Sequence, residues 1–365
     1  MTIGVISRHS VANYRSLLQA YALQTVLEKM GYNAININYT PINEVGGNLA
    51  KTLVNNSRWS KNPFTKMAFL AYQYPSFSHT FNTFKKFRTK YLKETVEYYS
   101  SEEMKNDLSD VDIFCTGSDQ VWNKLYNDNL DPAYFLDFAP DEKKRIAYAA
   151  SFGGNKFDTK DAKYIELLKK YSYITVREDT GVSLLSEMGL ESSQVLDPTL
   201  LLNKQEWDLL VEKKEKREPY YLIYQLKPNK QFDEYAKKIS KKYHKKLIRV
   251  TPFLFQIIKC GKLVYLPNPS EFLWFIKNAD CLLTDSFHGS CFAINFNVPF
   301  IEILPGKYNA RNESLLRTFK LNNRILHDYN NISIVEEKID YGLVNKLIAK
   351  YRIDSIKQLE KMIGV

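Results

Sequence analysis

The residues best placed to do chemistry lie in one segment, Ala279 to Phe300, ADCLLTDSFHGSCFAINFNVPF. An apolar run, Cys281-Leu282-Leu283, opens into Thr284-Asp285-Ser286, then His288, Gly289 and Ser290. An apolar stretch of helical length follows, and a second short apolar run starts at Pro299. The pattern predicts strand, polar turn, helix, strand. In open α/β sheets, ligands bind outside the carboxyl ends of the strands, where such turns sit. Free backbone N–H groups and the helix dipole favour an anion there, and a histidine moves protons near neutral pH. The segment therefore points to an anionic substrate and acid–base chemistry.

A second turn of this kind follows Val111 to Cys115, at Thr116-Gly117-Ser118-Asp119-Gln120-Val121-Trp122. Gly117 lets a backbone approach a ligand closely. Ser118, Asp119 and Gln120 offer hydroxyl, carboxylate and amide to sugar hydroxyls, and Trp122 offers a face to a sugar ring. The competing reading is a side-chain-capped turn with Trp122 in the core. Arg177 closes the run Ile174-Thr175-Val176 and can grip a carboxylate or phosphate in bidentate fashion; a salt bridge to Glu178 is the plainer reading. Asn309 and Arg311 precede a predicted helix and bring another cation.

The elements that must hold these turns alternate along the chain. Ile3 to Ile6 reads as a strand; Leu18, Ala22 and Val26 share a helical face that Gly31 ends; Ala34 to Tyr39 reads as a second strand. Strand–helix–strand in so few residues implies a parallel sheet. Residues 40–75, with Gly46-Gly47 and Asn55-Asn56, read as an excursion over the site. Phe77, Phe81, Phe84, Phe87 and Tyr91 recur at helical spacing, as core or lid. Strands recur at Val111–Cys115, Ile146–Ala150, Ile174–Val176 and Val195–Leu196. A charged stretch, Glu212 to Glu218 with Lys216-Arg217 inside it, marks a boundary, after which the alternation restarts at Tyr220–Tyr224. The expectation is α/β: two domains joined by a linker, residues 1–214 and 215–340, with a cleft between them. A helical segment, 341–365, would cross back to the first domain.

Of the 365 residues, 44% are apolar and 25% charged, as in ordinary globular proteins. The excess of 51 basic over 41 acidic residues gives a net charge of +10. No zinc-finger spacing or RNA-binding aromatic signature accompanies it, so nucleic acid is the least favoured partner. Cys115, Cys260, Cys281 and Cys291 lack paired spacing, and the histidines form no ligand cluster, so no metal or cofactor is expected. No apolar run reaches the length of a transmembrane helix, and the first residues lack a secretory pattern. A cytoplasmic location follows, peripheral at the inner membrane face if the lysine runs Lys213–Arg217 or Lys237–Lys246 meet anionic lipid.

At these residues the chain resembles the polysaccharide pyruvyl transferase family. The match is distributed over NYRSLLQAYALQ (Asn13–Gln24), GSDQVWN (Gly117–Asn123), YAASFG (Tyr148–Gly153), VRED (Val176–Asp179), VLDPTLL (Val195–Leu201), TDSFHG (Thr284–Gly289) and NARNESLL (Asn309–Leu316). The resemblance implies two Rossmann-like domains facing a cleft in a GT-B-like fold, 1–214 on the acceptor side and 215–340 on the donor side, with phosphoenolpyruvate as donor, a sugar as acceptor, and pyruvate ending as a cyclic ketal in capsular or exopolysaccharide synthesis. A lipid-pyrophosphate-linked acceptor and peripheral contact with an anionic membrane are implied with it. For chemistry the resemblance brings in His288 as proton donor, Asp119 as acceptor-side base and Asp285 as an orienting group. Asn13, Ser118, Gln120, Trp122, Ser151, Arg177, Ser286, Gly289, Ser290, Asn309 and Arg311 are carried in for binding. Two positions depart from the family pattern. Arg15 stands where glycine often follows Asn-Tyr, and Ser286-Phe287-His288 replaces an Arg-Leu-His found in some members. The alternatives are a nucleotide-sugar glycosyltransferase of the same shape and a non-catalytic sugar-binding protein.

Overall fold

The computed structural model describes residues 1–45, 62–124, 129–154, 156–157, 162–215, 218–304 and 309–364. The excursion at Gly46-Gly47 and Asn55-Asn56 and the pair Lys216-Arg217 lie outside them.

The chain divides into two compact units: Met1–Pro198 with Ile356–Val365, and Thr199–Ser355. The sequence reading puts the junction at 214/215. The structure puts it earlier because Trp207 packs edge-on against Phe292 and Lys277 pairs with Asp208, both within the second unit.

The first unit holds a six-stranded sheet in the order β2-β1-β3-β4-β5-β6, parallel throughout. Its strands are β1 (Thr2–Ile6), β2 (Asn33–Ile37), β3 (Ile113–Thr116), β4 (Lys144–Ala150), β5 (Tyr173–Val176) and β6 (Ser193–Gln194). The helices are α1 (Tyr14–Lys29), α2 (Pro63–Tyr91), α3 (Ser101–Lys105), α4 (Ala162–Lys169), α5 (Asp179–Glu187) and the single turn α6 (Pro198–Leu201), which runs into the second unit. The interior strands are buried on both faces, as a parallel sheet covered by helices requires. α1 ends where Gly31 adopts φ +86°, a left-handed conformation that costs glycine nothing. In α2, Phe84 and Phe87 are buried, with Phe84 against Tyr14 of α1, so this part of the aromatic stripe is core.

The second unit holds a five-stranded parallel sheet in the order β11-β10-β7-β8-β9. Its strands are β7 (Tyr220–Tyr224), β8 (Lys246–Thr251), β9 (Lys262–Tyr265), β10 (Cys281–Thr284) and β11 (Phe300–Glu302). The helices are α7 (Lys204–Asp208), α8 (Lys230–Tyr243), α9 (Pro269–Lys277), α10 (Phe287–Phe296), α11 (Ala310–Thr318) and α12 (Tyr341–Ile363), whose last residues belong to the first unit. The sequence reading passes over β9 and α9. β9 is an edge strand, exposed or half-buried throughout, and its apolar run within the strand is only Leu263-Val264-Tyr265. Asn268 starts α9 with a capping box closed by Glu271, and Pro269 sits at its first position. No helix among the described residues is long and apolar enough to cross a membrane.

Candidate functional site

In the first unit, the turns after β3, β4, β5 and β6, with Ser16 of α1, converge on one buried polar network. Its hub is Arg177, whose side chain is fully sealed from solvent. Arg177 Nη1 donates to Asp197 Oδ2 at 2.9 Å and to Ser118 Oγ at 3.3 Å. Its guanidinium also lies 3.5 Å from both Asp119 and Glu178. Ser118 Oγ donates to Asp197 at 2.8 Å, Ser16 Oγ to Asp119 Oδ2 at 2.5 Å, and Ser151 Oγ to Glu178 at 2.6 Å. Burial alone would weaken the guanidinium's hold on its proton, but Asp197, Glu178 and Asp119 reverse that and raise its pKa. Burying a cation is costly unless it is paired and hydrogen-bonded. Three carboxylates meet that condition, and together they commit Arg177 to the protein.

The sequence reading of Arg177 as the grip on a donor phosphate therefore gives way to its plainer alternative, an internal ion pair. Asp119 changes role with it. It is 2% exposed and engaged by the Arg177 guanidinium and the Ser16 hydroxyl, so its carboxylate faces the network. Asp119 also holds φ +81°, and Ala149 on the neighbouring strand holds φ +53°. Non-glycine residues in this region store roughly 1–3 kcal/mol each and persist only where their surroundings fix them. Trp122 is corrected too. It is 1% exposed, stacks on Phe135, and its indole N–H donates to the Tyr134 carbonyl at 3.1 Å, so it offers no face to a sugar. Asn13 caps α1, accepting from the Arg15 amide at 3.0 Å. Ser118 and Ser151 are buried inside the network, and Gln120 is 9% exposed beside it.

Sequence reasoning misses a second cluster after β1. Arg8 pairs with Glu44 at 2.5 Å and lies over the Tyr134 ring. His9, fully buried, lies 3.4 Å from Ser7 Oγ and 3.0 Å from Glu94, which Arg88 also bonds. Burial lowers the His9 pKa despite Glu94. The polar run Ser7 to Ser10 at the end of β1 is the same signal that flags β10; Glu94 carries none.

In the second unit, the β10 turn is built as its spacing suggests. Ser286 is the N-cap of α10 and accepts from the Gly289 amide at 3.3 Å, while its own amide donates to Thr284 Oγ1 at 3.0 Å. A Cβ on Gly289 would come within 2.7 Å of Thr284 Oγ1, so only glycine fits there. His288 follows in the first turn, 2% exposed. Asp285 accepts from the amides of Leu226 and Lys227 at 2.7 and 2.8 Å, tying the β10 turn to the β7 turn. Burial raises its pKa against those two bonds.

A further carboxyl lies beneath the turn. Glu302, fully buried at the end of β11, accepts from Asn312 Nδ2 at 2.5 Å and bonds Ser290 Oγ. Burial pushes its pKa up to about 8. Ser290 starts α10 and Asn312 starts α11, so Glu302 joins the helix carrying His288 to the helix carrying Arg311. Its signal in the sequence is one acid inside the apolar run Phe300 to Leu304. Asn309 and Arg311 are half-buried at the start of α11.

Asp285 also lines a cavity of about 520 Å³ with Lys227, Asn229, Lys230, Ile303 and Tyr329. The cavity lies at the start of α8, which Asn229 caps by accepting from the Phe232 amide at 3.2 Å. Lys227 and Lys230 are exposed. Two lysines beside a helix N-terminus give this end of the sheet a positive potential.

Comparison with solved structures places the fold. The Methanocaldococcus jannaschii UDP-GlcNAc 2-epimerase, solved with UDP-GlcNAc and UDP, superposes with a TM-score of 0.52 at 15% identity, over 100% of this chain and 99% of that one. The spinosyn forosaminyltransferase SpnP gives 0.53 at 9% identity over 100% of both chains. The Neisseria meningitidis UDP-GlcNAc 2-epimerase bound to UDP-GlcNAc gives 0.51 at 10% identity, over 99% of each chain. At such identities the likeness is one of fold: two parallel-sheet α/β domains of the GT-B kind. No curated protein matches the sequence. The family model described as polysaccharide pyruvyl transferase matches residues 16–305. The chain belongs to the polysaccharide pyruvyl transferase family.

Proposed function

We propose that the protein moves pyruvate from phosphoenolpyruvate onto two hydroxyls of a sugar as a cyclic ketal, in capsular or exopolysaccharide synthesis. The observation that carries this reading is the family match over residues 16–305. Phosphoenolpyruvate brings a phosphate of about −1.5 to −2 charge near neutral pH and one carboxylate. Lys227, Lys230 and Arg311, with the starts of α8 and α10, supply the complementary charge in the second unit. This assignment replaces Arg177, whose charge is spent inside the first unit.

Ketal formation needs a proton on the methylene carbon, which leaves cationic character on the adjacent carbon. One sugar hydroxyl adds there, phosphate leaves with the C–O bond electrons, and the second hydroxyl closes the ring. His288 is the proton donor of this scheme, and Asp285 orients the turn that carries it. The acceptor, a sugar on a lipid pyrophosphate, meets the first unit. The reaction is cytoplasmic, with the protein peripheral at the membrane.

The test incubates the purified protein with phosphoenolpyruvate and a candidate acceptor glycan. Expected are phosphate release dependent on both substrates and an acid-labile pyruvate ketal by NMR. Turnover of a UDP-sugar with phosphoenolpyruvate untouched would favour the nucleotide-sugar glycosyltransferase reading instead.

A further inference from the structure

The segment after β8 carries an unusual surface. Phe253, Phe255, Ile257 and Ile258 are 37, 42, 61 and 86% exposed within six residues. They surround one short 3₁₀ turn, Leu254–Ile258. The turn is held firmly from below. Gln256 is 2% exposed, donates to the Gln225 carbonyl at 2.8 Å and accepts from Arg249 Nη1 at 3.1 Å. The Phe253 amide donates to Thr251 Oγ1 at 3.0 Å, and the Lys259 amide to the Gln256 carbonyl at 2.9 Å. A polar peg thus anchors a knuckle whose apolar side chains point away from the core. Clustered exposed apolar residues on a fixed support mark a contact surface.

The surrounding charge is positive on balance, with Lys245 paired to Asp280, Lys246 to Glu218, and both Arg249 and Lys259 to Asp233. Lys245, Lys246, Arg249, Lys259 and Lys262 fall within a stretch that holds no Asp or Glu before Glu271. The acid facing the knuckle from α8, Asp233, is matched by both Arg249 and Lys259. Lys262, on the edge strand β9, is exposed. Rigid aromatic and branched aliphatic tips beside an exposed lysine and a net positive surround are the chemistry of insertion into an anionic bilayer surface. A second copy of the chain fits less well, because a stable protein interface buries about 1,200 Å² or more and four side chains on one turn do not provide it.

We propose that the knuckle Phe253–Ile258 seats in the interfacial layer of an anionic lipid bilayer, with Lys262 against the headgroups. It differs from the lysine runs at Lys213–Arg217 and Lys237–Lys246 in supplying apolar anchorage. The proposal does not depend on which reaction the protein catalyses.

The full-length protein is sedimented with phosphatidylcholine vesicles, with and without phosphatidylglycerol, alongside the double variant Phe255→Ser/Ile258→Ser and the variant Lys262→Glu. All substituted positions are exposed, so melting temperatures should match wild type. Wild type should bind the anionic vesicles. The double variant, with its charge unchanged, should partition at least about tenfold more weakly. Lys262→Glu should weaken binding at low salt and lose its effect at high salt. Equal binding of wild type and double variant overturns the proposal, as does the absence of any preference for anionic vesicles. A wild-type dimer in sedimentation velocity that the double variant abolishes would assign the knuckle to a second copy and overturn it equally.

Discussion

Arg177 Nη1 donates to Asp197 Oδ2 at 2.9 Å with both side chains fully removed from water. This bond joins the ends of β5 and β6, and Asp119 brings β3 to the same guanidinium. The arginine is a tie between strands, and its loss would leave three buried carboxylates facing one another. Arg177→Ala should destabilise the first unit by about 3–5 kcal/mol, the usual result of stripping one partner from a buried charge network. Thermal unfolding checks this. A variant that melts like wild type while its KM for phosphoenolpyruvate rises would return Arg177 to the donor site.

His288 should matter to turnover. His288→Gln keeps the size and polarity of a residue that is 2% exposed. It should lower kcat by ~10² or more, the usual contribution of a positioned acid–base group, with little change in KM for phosphoenolpyruvate. Circular dichroism should show the fold retained. Turnover like that of wild type would remove His288 from the chemistry.

Glu302 sets a pH dependence whose sign can be worked out. Its carboxyl is raised by burial from an ordinary value near 4.5 to about 8. Between those values the folded protein holds a proton that the unfolded chain releases, so this group's contribution to stability falls as pH rises from about 4.5 to about 8. Glu302→Gln keeps partners for Ser290 and Asn312 and cannot ionise. The melting temperature of the variant relative to wild type should therefore climb across that window. A flat difference would mean that Glu302 titrates outside it.

Gly289→Ala should distort the His288 turn. The new methyl would lie 2.7 Å from Thr284 Oγ1 and 3.3 Å from the Tyr224 ring. Thr284 Oγ1 cannot easily retreat, because it donates to the Tyr224 carbonyl and accepts from the Ser286 amide. Overpacking of this kind costs about 1–3 kcal/mol. A melting temperature equal to wild type would show that the turn has slack.

The cysteines should divide by reactivity. Cys115 and Cys281 sit in strands where burial pushes their thiols up to about 12, and Cys291 is equally buried. Cys260 is half-buried beside Arg249. Native protein should give at most one thiol to a disulfide reagent, and four after denaturation. Rapid release of more than one from the native state would contradict this packing.

Alternating apolar runs and polar turns made the two parallel sheets legible, because a strand buried on both faces has few other sequences open to it. The order of β10, its polar turn and α10 was readable; that Ser286 caps the helix, Gly289 fits a tight space and Asp285 faces the neighbouring turn is visible only in the structure. Partner choice in the first unit was not readable. Ser118, Asp119, Arg177 and Asp197 stand in turns that look alike, and only the fold decides whether such a set points inward at itself or outward at a ligand. Trp122 fails for the same reason: a tryptophan after a strand carries no sign of which side its ring takes. Glu94 was not readable because nothing nearby in the sequence announces a partner for His9.

The chain's last residues have a consequence for the order of manufacture. Leu359, Met362 and Ile363 are buried in the first unit, and Lys144 Nζ donates to the Ile363 carbonyl at 3.2 Å. A ribosome therefore finishes the whole second unit before it delivers the piece that completes the first. The early sheet must wait, partly uncovered, while more than a hundred later residues emerge, and domains generally fold as units during synthesis. The unit that is begun first is closed last.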